Sequence, residues 1–182
     1  YFAEALSLLT ALGEEHESNI LRINMGEMEY AAAEFGRALE YASAAVAASR
    51  RVGSRRREAS ALVNSAAYRL TLRDLDGAYA NARDALMLSR WASPIEVAAA
   101  IQHLATVAAL NEDSLRAGRL AGYVDGWYKE EGLRRDATEL RTYEILAKAL
   151  AQRLSHDEMA ALADQGSRFS EPQAIAEALR SQ

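Results

Sequence analysis

A pattern that repeats after forty positions constrains this chain more than any other feature. Asn24 recurs as Asn64, Gly26 as Ala66, Phe35 as Leu75, Ala38 as Ala78 and Ala45 as Ala85, and the same offset links Gly13 to Gly53 and Ala5 to Ala45. A fixed period of that length marks a stacked array, whose units cannot cover their own apolar faces and bury them against their neighbours. A third unit follows with the offset shortened by one residue, and the period fails after Gly132. The expected organisation is a partial unit over 1–13, units over 14–53, 54–92 and 93–132, and a terminal cap over 133–182.

Composition assigns the units to helices. Of 182 residues, 50% are hydrophobic but only 7% aromatic, 39 are alanine, and there are ten glycines and two prolines. Alanine is the best helix former and lets helices approach closely, so tightly packed helices are expected and a strand-and-turn fold is not. The net charge of −5 and pI near 5.3 disfavour nucleic acid or an anionic membrane as the partner of the chain as a whole. The absence of cysteine removes disulfide and thiolate chemistry and fits a cytoplasmic protein. The longest uncharged run, Val97 to Asn111, has fifteen residues and includes Gln102 and His103, too short and too polar to span a bilayer. The chain opens at Tyr1 in what reads as the middle of a repeat, which predicts a piece of a longer protein.

Local punctuation places the helix ends. Gly13 suits the residue just past a helix over 1–12, and Gly53 plays the same part after helices over 15–32 and 34–51. The next pair is expected over 55–72 and 75–90, with Asp74 capping the second. Ser93-Pro94-Ile95-Glu96 is a capping box with proline at the first helical position, so a helix runs from there to Leu110, and Asp113 opens its partner toward Gly132. Asp136 with Glu139, Ser155 with Glu158, and Ser170 with Gln173 then cap three shorter helices ending near Leu154, Gln165 and Arg180.

Gly26, Phe35, Ala38 and Ala45 in one unit, Ala66, Leu75, Ala78 and Ala85 in the next, and Ala105, Ser114, Ala117 and Val124 in a third resemble the tetratricopeptide repeat. The small residues would lie where the two helices of a unit cross, and Ser114 departs from the pattern. The period exceeds the usual tetratricopeptide length of about 34 residues, so the helices here are longer. The stretch from Leu104 to Trp127, with Arg116-Ala117-Gly118-Arg119-Leu120-Ala121-Gly122 at its centre, and the capped helices after it are similar to the C-terminal end of large bacterial regulators. In those proteins a P-loop ATPase and a DNA-binding or cyclase module precede a tetratricopeptide array. No P-loop signature lies in this chain. The resemblance implies an all-α, right-handed superhelix of antiparallel helix pairs. Its expected role is noncatalytic, binding a protein or peptide as the sensing or oligomerising region of such a regulator, with a small-molecule effector sensor as the alternative.

The resemblance also implies a binding face. Asn24, Asn64 and His103 occupy equivalent positions that would look toward the concave surface, where an amide can both donate to and accept from an extended peptide. Ile23, Glu27 and Tyr30 share that helical face in one unit, and Val63, Ala67 and Leu70 in the next. The alternative is that each Asn satisfies a backbone group of the adjacent helix.

A second candidate is Arg50, Arg51, Arg55, Arg56 and Arg57, a basic cluster around Gly53 that suits a phosphate or an acidic partner, or else a solvated turn. Residues 1–48 carry eight acids and two arginines, whereas 50–90 carry nine arginines and four acids. That polarity favours pairing between neighbouring units or head-to-tail self-association. Trp91, Tyr123, Trp127 and Tyr128 read as seals between units or as a partner patch. No catalytic residue, cofactor or metal site is expected: His16, His103 and His156 lack a second ligand at helical spacing, and the serines and aspartates singled out have capping roles.

Overall fold

The computed structural model describes residues 1–88 and 91–180, and these form an all-α fold. The helices, in chain order, are α1 (Phe2–Ala11), α2 (Glu15–Ala31), α3 (Phe35–Arg51), α4 (Arg55–Thr71), α5 (Leu75–Met87), α6 (Pro94–Leu110), α7 (Ser114–Glu130), α8 (Ala137–Ala151), α9 (His156–Ser167) and α10 (Glu171–Leu179).

The forty-residue echo is twice a shorter structural unit. Helices α2, α3, α4, α6 and α7 each have 17 residues. Three-residue turns connect α2 to α3, α3 to α4, α4 to α5 and α6 to α7, so helix plus turn makes twenty. Each turn has the same geometry. At the first of them the Ala33 N–H donates to the Tyr30 carbonyl at 3.0 Å and the Glu34 N–H to the Glu29 carbonyl at 2.8 Å. This is the paired bonding of a Schellman motif, which requires a left-handed residue past the helix end. Gly13, Gly53 and Gly132 take that conformation, but so do Ala33, Arg73 and Glu112, with φ between 63° and 70°. Because these three are not glycines, the sequence shows only every second turn.

One turn breaks the series. The helix expected over 75–90 ends at Met87, and Ser89 and Arg90 lie outside the described residues. Leu88 N–H bonds back to the Ala85 carbonyl at 3.0 Å, three residues away, and Ser93 is extended (φ −74°, ψ 155°) as its place before Pro94 requires. The third unit thereby loses one residue, which is the slip in the sequence register.

Short connections fold successive helices back on one another, and each of α2 to α6 packs on the next. Helices α2, α4 and α6 also touch in series. Ala38, Ala45, Ala66, Ala78, Ala105 and Ala117 are wholly inaccessible at the contacts. One apolar core runs from Ala45 and Leu62 through Ile101, Leu104 and Leu120 to Leu146 and Ala178. Tyr30, stacked on Tyr68 at 4.6 Å and edge-on to Phe35 at 5.2 Å, anchors a smaller cluster between α2, α3 and α4.

Beyond α7 the packing order changes. Helix α7 packs mainly on α9 and meets α8 over a smaller area. The run from Arg116 to Gly122 explains why. A Cβ at Gly118 would lie 2.8 Å from Leu162 Cδ1, and one at Gly122 would collide with the Ala163 backbone, so α9 approaches where α7 has no side chains. On the other flank Arg116, buried to 1% exposure, donates to the carbonyls of Ala178 (2.8 Å) and Arg180 (2.9 Å). It satisfies the C-terminal end of α10, and Arg119 pairs with Glu177 nearby. With α9 covering most of that flank of α7, α8 packs chiefly on α6, and it also touches α4, α2 and α7.

Candidate functional site

The α2/α4/α6 face carries the residues the sequence points to, and the structure places them differently from one another. Asn24 and Glu27 are exposed, Ile23 and Asn64 half-buried, and Tyr30, Val63, Ala67, Leu70 and His103 buried. Asn64 donates to Glu27 Oε1 at 3.0 Å, so two of them are brought together. Asn24 remains open beside Ile20 and Met28, which are 37% and 51% exposed.

His103 has no exposure, and neither ring nitrogen has a hydrogen-bond partner. In the repeat register the position matching Glu27 holds Ala67, so the carboxylate that engages Asn64 has no counterpart for His103. Burial pushes the imidazole down to about 3, and it is held neutral.

Helix α8 is seated on this face by a polar network that the sequence reading did not single out. Gln102 donates to the Glu139 carbonyl at 2.8 Å and to Thr142 Oγ1 at 2.9 Å. Arg135 donates to Gln102 Oε1 at 2.6 Å and pairs with Asp125 on α7. Its guanidinium lies 4.6 Å from the centre of the Tyr128 ring and 3.9 Å from that of Tyr143. Tyr143 donates to Asp125 Oδ2 at 3.1 Å, and Tyr128 to Glu139 Oε2 at 2.8 Å. Burial, then the nearby Asp136 carboxylate, raises the Glu139 carboxyl against the opposing pull of Tyr128, the Asp136 N–H and Arg135.

A signal for one member existed. Gln102 stands one shortened period after Val63 and two after Ile23, where the other units are apolar, and an amide inside an apolar helix needs a partner. Farther along α8, the Arg141 guanidinium lies 5.4 Å from the Tyr30 ring centre and 5.2 Å from that of Phe35.

The basic cluster is largely engaged within the chain. Arg50 and Arg55 both bond the buried Glu58, at 2.7 and 2.9 Å, and Arg51 bonds Glu15 at 2.8 Å. Arg57 bonds His16, and Arg56 has no ion pair among the described residues. Except for Arg55–Glu58, which lies within α4, these contacts run between α2, α3 and α4, which is neighbour-to-neighbour pairing. Tyr123 and Tyr128 are buried, with Trp127 edge-on to Tyr128 at 5.1 Å, whereas Trp91 is 38% exposed. Among the described residues, no three His, Asp or Glu converge as a metal would need, and no helix is long and apolar enough to cross a membrane. The arrangement is suited to holding helices by apolar contact and by amide and guanidinium hydrogen bonds.

No protein-family model matches the chain, and no curated protein matches it significantly.

Proposed function

We propose that this chain is a noncatalytic, tetratricopeptide-like superhelical scaffold whose α2/α4/α6 face takes a helical segment of a protein or peptide partner. We place it as the C-terminal sensing or oligomerising region of a larger bacterial transcriptional or signalling regulator, acting in the cytoplasm. The observation that carries the reading is α8, which already packs against all three helices of that face. An apolar floor with amide and guanidinium groups at its edge suits an amphipathic helix in a groove. The open remainder, with Ile20, Asn24, Glu27 and Met28 exposed, is where a partner segment would add. A helical-peptide library panned on the whole chain tests this. Binders should lose at least tenfold in affinity to Asn24→Arg and Glu27→Arg, about 1.4 kcal/mol, and none to Arg168→Ala on the exposed cap. Binders indifferent to the first two substitutions would sink the reading.

A second reading, a small-molecule effector domain, is favoured by a cavity of about 340 Å³ between α7, α8 and α9. It is walled by Leu146, Leu150, Met159 and the glycine flank of α7, with Asp125 and Tyr143 as its polar groups.

A further inference from the structure

Cations in this protein are mostly matched to carboxylates or carbonyls. Among the described residues, the side chains of Arg56, Arg73, Lys129, Arg134, Arg141 and Lys148 have neither an ion pair nor a hydrogen bond; Arg141 has its ring contacts with Tyr30 and Phe35. Three of these six line a single crevice of about 490 Å³. Arg73 reaches it from the turn after α4, and Arg141 and Lys148 from α8. Glu144 is the one carboxylate in its wall, so three positive charges against one negative leave +2 in a chain whose net charge is −5. The crevice also has an apolar side, formed by Leu110 of α6 and Ile145 of α8.

The spacing of the cations indicates the shape of what they would hold. Arg141 and Lys148 are seven residues apart, on one face of α8 and roughly 10 Å along its axis. Arg73 approaches from another element. A guanidinium presents paired donors to an oxyanion, and an ammonium adds a point charge.

We infer that this crevice binds a small oxyanion with two or more negative charges, a polycarboxylate or a phosphorylated compound, with its carbon skeleton against Leu110 and Ile145. Such a ligand bridges α4 to α8 and draws the seated helix onto the face it covers. Arg141 also lines a neighbouring crevice with Glu27 and Tyr30, but Arg73 and Lys148 do not, so substitutions at those two test this site separately from the peptide-binding reading.

Thermal unfolding of the whole chain tests it, with citrate, pyrophosphate and inorganic phosphate each compared with sodium chloride at equal ionic strength. At saturation, citrate or pyrophosphate should raise the midpoint by about 2–4 °C beyond the salt control. The shift should vanish in Arg73→Gly and Lys148→Gln and persist in Arg56→Gln, which removes an unpaired cation elsewhere. Arg73→Gly relieves a left-handed φ of 63° in a non-glycine residue, so its loss of response cannot be ascribed to a damaged fold. A response to citrate alone, or to the phosphates alone, supports the site and names the source of the anion. No shift beyond salt, or one that survives both crevice substitutions, overturns the inference.

Discussion

Buried without a hydrogen-bond partner, His103 stays neutral in the fold while the unfolded chain takes up a proton near pH 6.5. With the folded imidazole pushed down to about 3, the unfolded state binds the extra proton between those two values. Stability is therefore lost as pH falls through 6.5, by up to about 1.4 kcal/mol per pH unit. His103→Leu should remove that slope between pH 7 and 5, above the range where most carboxylates titrate, and raise the melting temperature at neutral pH. Urea midpoints across this range for both proteins decide it, and equal slopes would refute the assignment. The sequence marks this position only in part. The repeat register set His103 beside Asn24 and Asn64, but their surroundings differ because Ala67 stands where α2 has Glu27. A position can be legible as equivalent while its partner, on another helix, is not.

Helix ends were written locally and were legible for that reason. The boxes at Ser93, Asp136, Ser155 and Ser170 form as the sequence indicates, since each needs only residues three apart. The turns at Ala33, Arg73 and Glu112 were not visible as left-handed, because the residue types there do not favour that conformation. Contacts between elements depend on surfaces that no local signal pairs. Gly118 and Gly122 are plain in the sequence, but nothing there says that α9 fills the space they leave. A Cβ at Gly166 would strike the Arg119 carbonyl oxygen, and one at Gly122 the Ala163 backbone. Gly122→Ala and Gly166→Ala should each destabilise the chain by about 1–3 kcal/mol or more through overpacking. Chemical denaturation measures the loss, and a change within 0.5 kcal/mol of zero, the range of about ±0.5 typical of surface sites, would show that the helices do not meet this closely.

At the scale of the whole molecule, the question is what holds α8 on the α2/α4/α6 face. Arg135 joins α6, α7 and α8 through Gln102, Asp125 and the rings of Tyr128 and Tyr143. Arg135→Ala leaves those polar groups short of a partner and should cost about 2 kcal/mol. Amide exchange should then accelerate over residues 137–151 before it does in α4 or α5, because local opening follows the weakest attachment. Uniform acceleration would mean that α8 is an inseparable part of the core. The sequence alone determined the all-helical class, most helix limits and the periodic small residues that let the helices cross, since these follow from propensity, capping and spacing within a few residues. Which face is covered, which cations meet in one crevice and which histidine is left without a partner were decided only in the tertiary structure. The first two depend on α9 taking most of the α7 flank while α8 settles on α6 and α4, and the third on which side chain a neighbouring helix brings to the imidazole, contacts between surfaces far apart in the chain.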